Sequence, residues 1–138
     1  MKILTKEKQL SKILKDAWPY YFERVEPKYK GGIPDVLMCD DEDKPFFVEL
    51  KIAKLIEDKF GHKRHNKVKI DIRTSQKIWH RQYPGKSYLL IAMNGKFYLV
   101  EKRFIQFMGD NMFAEILEIS SSVHSENIYD IIRMFKYV

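Results

Sequence analysis

Two short apolar runs, residues 33–39 and 45–51, flank an acidic turn, Asp40 to Lys44. That pattern reads as a β-hairpin, with each run a strand. In the second run Phe46, Val48 and Leu50 alternate with Phe47, Glu49 and Lys51, so the two triplets face opposite sides of a sheet. Glu49 and Lys51 therefore share a face, about 6.5–7 Å apart along the strand. The first run opens with Gly31-Gly32-Ile33-Pro34-Asp35-Val36. A neighbouring strand can carry Asp35 to the same place as Glu49. The turn Asp40-Asp41-Glu42-Asp43 lacks the spaced ligands and central glycine of a calcium loop and reads as solvated.

Two carboxylates and a lysine on apolar strands suit one kind of chemistry. Phosphodiester hydrolysis needs an attacking hydroxide, a shielded phosphate and a stabilised leaving oxygen, which one or two Mg²⁺ ions can supply. Mg²⁺ takes oxygen ligands and keeps several waters, so a few carboxylates suffice. Asp35 and Glu49 are the candidate metal ligands, the backbone carbonyl of Leu50 is a further one, and Lys51 is placed to orient or deprotonate the water. An ordinary salt bridge at a strand end is the competing reading of Glu49 and Lys51.

Charge distribution points the same way. Residues 51–86 hold eleven Lys or Arg against three acids, while the whole chain is only +6, so the remainder is net acidic. A local basic segment is what phosphate binding by counterion release requires. Lys54, Lys63, Arg64, Lys67, Lys69 and Arg73 are the candidate DNA-backbone contacts. Such contacts position a duplex without reading bases.

The rest of the chain is organised around the hairpin. Residues 5–17 form an amphipathic pattern with Leu10, Ile13, Leu14 and Ala17 inward, Thr5 as a plausible N-cap and Pro19 after its end. Residues 20–25 read as a first strand, 27–32 as a basic turn, and 52–69 as a polar, mobile loop. Residues 75–82 read as a helix capped by Thr74 or Ser75. Strands 87–93 and 96–101 flank Asn94-Gly95, a type I′ hairpin signal. A short helix follows at 102–108, residues 113–119 are ambiguous, and a closing amphipathic helix starts near Ser125. The 138 residues fit one domain, with a catalytic core over about 5–101 and a C-terminal helical extension over about 102–138. No apolar run reaches the ~18 residues of a membrane span. Cys39, the lone cysteine, reads as a small core residue, and a cytoplasmic setting fits. His62 and His65 have zinc spacing, but no further His or Cys lies near to complete a tetrahedron.

Ile33-Pro34-Asp35 followed by Glu49-Leu50-Lys51 resembles the signature of the PD-(D/E)xK nuclease superfamily. That superfamily includes restriction endonucleases, archaeal Holliday-junction resolvases and the small VRR-NUC domains of phages and repair enzymes. The small VRR-NUC and phage type is the nearer match, because a Gly-x-Pro-Asp stretch precedes the Glu-x-Lys strand and Ser75-Gln76-Lys77-Ile78-Trp79-His80 follows it. The likeness spans roughly residues 7–100. It implies an α/β, restriction-endonuclease-like fold: a mixed central β-sheet flanked by helices. It also implies Mg²⁺-dependent endonuclease activity on DNA, with Mn²⁺ as a substitute, and a branched or junction substrate. A homodimer and a bacterial or phage-infected host cell follow by the same resemblance. It implies a further acid on the first helix, for which Glu7 fits better than Asp16 or Glu23, and a helix residue over the site, Gln76. Trp79 reads as core. The rival reading is a non-catalytic nucleic-acid-binding module built on the basic 51–86 segment. A third is a subunit whose basic segment meets an acidic protein.

Overall fold

The computed structural model describes residues 3–25 and 32–138. Its centre is a mixed, seven-stranded sheet: β1 (Phe22–Arg24), β2 (Val36–Cys39), β3 (Pro45–Ile56), β4 (Lys67–Lys69), β5 (Ser87–Met93), β6 (Lys96–Glu101) and β7 (Val123–Ser125). The order is β1-β2-β3-β5-β6-β7, with β4 paired to the far end of β3. Among the described residues only β3 and β5 run parallel; the other strand pairs are antiparallel. The helices are α1 (Glu7–Ala17), α2 (Thr74–Gln82), α3 (Lys102–Ile105), α4 (Ala114–Ser120) and α5 (Ile128–Met134). The mixed sheet flanked by helices is the architecture expected from the sequence.

Strand alternation divides the core in two. Val36, Met38, Phe46, Val48 and Leu50 meet Leu10 and Leu14 of α1 and Ile131 of α5 on one face. Leu89, Ile91, Val100 and Ala53 meet Ile105, Met108 and Leu117 on the other. Phe47, Glu49 and Lys51 belong by parity to this second face, where Phe47 packs edge-on against Trp79 of α2 at 5.0 Å between ring centroids. Trp79 also stacks on Tyr83, so it is a packing residue, as its sequence context indicated.

Several expected boundaries shift. The third strand was expected to stop at Lys51, with a mobile loop over 52–69. Instead β3 runs twelve residues to Ile56, because Ala53 and Leu55 continue the alternation and pair with β4 through Leu55↔Val68. A 3-10 turn, Lys63–His65, lies between them. Helix α1 starts at Glu7, and Thr5 is not its cap; the Gln9 side chain reaches back to accept from the N–H groups of Thr5 (2.9 Å) and Lys6 (3.1 Å). Helix α2 begins with Arg73 as N-cap, not Thr74 or Ser75, because Gln76 Oε1 accepts from the Arg73 N–H at 2.9 Å. The ambiguous stretch is helical as α4. The C-terminal segment is not purely helical, since Val123–Ser125 joins the sheet edge as β7. The Asn94-Gly95 turn has φ of 50° and 79°, as a type I′ hairpin requires. Of the expected 27–32 basic turn, residues 27–31, Gly31 included, lie outside the described residues.

Gly32 joins the motif to α2. Its φ is +79°, and a Cβ there would sit 2.2 Å from the Ser75 carbonyl oxygen and 2.7 Å from the Gln76 nitrogen. Only a residue without a side chain lets the segment before Asp35 touch the first turn of α2. Gly32→Ala should therefore destabilise the protein by roughly 2 kcal/mol or more, read as a lower midpoint in urea unfolding with an unchanged m-value.

Candidate active site

Asp35 immediately precedes β2, and the β2–β3 ladder is paired from Val36↔Val48 to Cys39↔Pro45. Leu50 lies beyond the last of these pairs. Its N–H is instead taken by Asp35 Oδ2 at 2.8 Å, so a side chain replaces the missing strand. A strand residue directs its N–H and C=O to the same side. The Leu50 carbonyl therefore also points past the end of β2, beside Asp35.

That bond brings Asp35 against Glu49. Glu49 is only 2% exposed, and its Oε1 atom is buried with no hydrogen-bond partner. Its pKa is pushed from the usual 4.5 up to about 10, first by burial, then by a hydrogen bond to the Asp35 carboxyl and by the charges of Asp35 and Glu7. Lys51, two residues on and 8% exposed, opposes the rise. Two carboxyl groups this close oppose each other's ionisation, which adds to the rise at Glu49, and a cation between them would relieve it.

Glu7 approaches from α1. It lies one turn before Leu10 and Ser11, on the helix face that packs inward. Burial and the Asp35 charge raise its pKa, while Lys51, Arg24 and Arg73 lower it. Six ionisable groups from five places in the chain thus converge electrostatically. Glu7 is within charge reach of the pair, but among the described residues no three His, Cys, Asp or Glu side chains stand close enough to hold an ion by themselves. The donors that fit a hard cation are the Asp35 and Glu49 carboxylates and the Leu50 carbonyl, with water for the rest. The unpartnered Glu49 oxygen is the feature that a cation would satisfy.

Gln76 is buried, but its carbonyl oxygen is engaged by the Arg73 N–H, leaving only its amide NH₂ for another partner. One turn on, His80 lies buried with Nδ1 2.7 Å from Ser87 Oγ and is held neutral, its pKa lowered to about 4 by burial and by Lys102. The sequence carried no signal for that pair, nor for Arg24 beside Glu7.

The expected DNA-contact residues do not form one patch. Lys54 and Lys69 are directly opposite on β3 and β4 and line a cleft of about 450 Å³ with Ile52, Ile70, Asp71 and Asp110. Lys63 and Arg64 border a separate cavity of about 330 Å³ next to α4. Lys67 lies over the Phe113 ring at 5.8 Å, and Arg73 belongs with Glu7. His62 and His65 sit 5.5 Å apart between ring centroids, with no metal-holding cluster among the described residues. No described helix is long and apolar enough to cross a membrane.

No family model and no curated protein matches this chain. Among solved structures it is similar to the 1.6 Å structure of Hjc, a Holliday junction resolvase from the archaeal hyperthermophile Archaeoglobus fulgidus. The identity is 12%, over 81% of this chain and 91% of that one, with a TM-score of 0.45. A likeness at that level assigns no role to any residue.

The raised Glu49 pKa sets a sign for stability. Between pH 4.5 and about 10 the native state keeps a proton that the unfolded chain has lost. Stability therefore falls as pH rises through that window, in the absence of divalent cations. Glu49→Gln removes the ionisation and keeps the shape. It should raise the thermal midpoint at pH 8 in EDTA and flatten the decline between pH 5 and 9, as scanning calorimetry across that range would read.

Proposed function

We propose that this protein is a divalent-metal-dependent endonuclease acting on DNA. The observation that carries the reading is the pairing of the buried Glu49 carboxyl with the half-buried Asp35 carboxyl, with one Glu49 oxygen unpartnered and Lys51 on the same strand face. Such a pair is costly to an apoprotein, and a cation would relieve it.

Asp35, Glu49 and the Leu50 carbonyl would hold Mg²⁺, with Mn²⁺ as a substitute. When bound, the ion supplies Lewis-acid polarisation of the phosphate and a more acidic water. The chain's own residues do the rest. Asp35 holds its orientation through the Leu50 N–H. Lys51 presents its ammonium group to the attacking water and to the charge that builds on the phosphate. Glu7, held near Lys51, Arg24 and Arg73, keeps those cations aimed at the site. Gln76 places the start of α2 above the pair and offers its free NH₂ to a phosphate oxygen. Lys54 and Lys69, directly opposed and exposed at a cleft that Asp71 and Asp110 also line, would hold a DNA phosphate between them.

The cations near the pair suit phosphates, and such contacts position DNA without reading bases, which favours selectivity by DNA shape. Junction or branched DNA is the substrate class that the sequence resemblance favours, and a homodimer would supply the two cuts such a substrate needs.

The test is cleavage of linear, nicked, flap and four-way DNA with Mg²⁺, Mn²⁺ or EDTA. Wild type should cut only with the divalent ion, and Glu49→Gln should not cut. Lys51→Ala should lower the single-turnover rate about 10²- to 10⁴-fold while binding DNA as wild type does. Mg²⁺ should also raise the melting temperature of wild type at pH 8 but not that of Glu49→Gln. Equal cleavage by wild type and Glu49→Gln would overturn the assignment.

A further inference from the structure

Phe60 is 82% exposed at the tip of the turn between β3 and β4. An isolated exposed apolar residue needs no explanation, but the backbone around this one is tied down. The Asp58 carboxylate accepts from the N–H groups of Phe60 and His62, both at 3.2 Å. The Asp58 carbonyl accepts from the Gly61 N–H at 3.1 Å, with Gly61 at φ +75°. Asn66 Oδ1 accepts from the Asp58 N–H at 2.9 Å, closing the base of the turn. The ring is thus held out on an ordered support.

Asp58 lies beneath the ring's support and Glu115 and Glu118 line the cavity that Lys63 and Arg64 border, but the turn itself carries cations. Residues 59–65 contain Lys59, Lys63 and Arg64 together with His62 and His65, and no acid. A flat apolar ring framed by cations complements a nucleobase framed by phosphates. An acidic, apolar protein surface would complement it less well, because a base offers a π-face to stack on at every position along the strand. The placement is also informative. Phe60 follows the same strand that carries Glu49 and Lys51, and Lys51 to Ile56 spans roughly 17 Å at strand rise. That is roughly five base steps along B-form DNA at 3.4 Å each, so the strand that leads from the acid pair towards the turn is short on the scale of a duplex.

We propose that the β3–β4 turn is a base-stacking wedge, in which Phe60 stacks on a base exposed at a branch point or end of DNA while Lys59, Lys63 and Arg64 hold the flanking phosphates. This inference rests on the nuclease reading for its choice of DNA, but not on any step of hydrolysis. Opening an intact stack costs more than a single ring returns. A branch, where stacking is already interrupted, removes most of that cost. Phe60 therefore selects DNA shape at a point separate from the acid pair.

The experiment is done in EDTA, so that nothing is cut. A four-way DNA carrying 2-aminopurine next to its branch point, and a linear duplex carrying the same base, are titrated with wild type, Phe60→Ala and Phe60→Trp. Wild type and Phe60→Trp should change the 2-aminopurine fluorescence several-fold in the four-way DNA only. Phe60→Ala should leave it at the free-DNA level and bind four-way DNA about 5- to 100-fold more weakly, with linear-duplex affinity within twofold of wild type. Because Phe60 is exposed, all three should unfold at the same temperature. Unchanged fluorescence and affinity for Phe60→Ala would overturn the wedge. So would a change confined to self-association, which would mark Phe60 as a protein contact. Failure of the nuclease reading appears separately, as absence of cleavage when Mg²⁺ is added.

Discussion

The bond from the Leu50 N–H to Asp35 Oδ2, 2.8 Å long, organises this molecule's charged centre. It lies just before β2, where β3 runs on beside β5 but has no β2 residue left to pair on its other side. A side chain fills the place of the absent strand, and in doing so fixes a carboxylate against Glu49. Beside that carboxylate lie the unpartnered Glu49 oxygen, with the Glu49 pKa raised first by burial, and the charges of Glu7, Lys51, Arg24 and Arg73. Gly32 serves the same end from the other direction, since its bare backbone lets α2 settle on the segment leading into Asp35.

The hairpin carrying the acids was legible because alternation is unambiguous over residues 45–51, and because one polar face among apolar neighbours leaves a single register. The β5–β6 hairpin was legible from Asn94-Gly95 alone. The length of β3 was harder to read. Lys54 and Lys69 look like loop residues in sequence, yet Leu55 and Val68 pair between them and bury one side of a two-stranded ribbon. The caps differ for a related reason: Thr5, Thr74 and Ser75 are favoured cap types, but Gln9 and Gln76 reach back to the N–H groups of Thr5, Lys6 and Arg73 and fix the helix starts there. Strand β7 carried no readable signal, because three residues of mixed polarity at a sheet edge are recognisable only beside β6. Glu7 came from family resemblance; its helical phase with Leu10 and Leu14 is the physical feature that turns it inward.

The positive charge is distributed by this fold in a way that the sequence does not disclose. Along the chain the cations form one block, but the β3–β4 ribbon separates them. Arg73 stays with the acids, Lys54 and Lys69 face each other midway, and Lys63 and Arg64 gather near the Phe60 turn. A surface graded in this way suits an extended polyanion better than a compact one. On the proposed reading it also separates two tasks, chemistry at the acid pair and shape selection at the ribbon tip.

The most direct measurement of the central claim is the titration of the Glu49 carboxyl by carbon-detected NMR, with and without Mg²⁺. Without the ion, Glu49 should titrate near pH 10, and with saturating Mg²⁺ its titration should drop below the ordinary carboxylate range. A Glu49 that titrates near 4.5 in both conditions would contradict the account, because the two carboxyl groups would then neither share a proton nor share an ion.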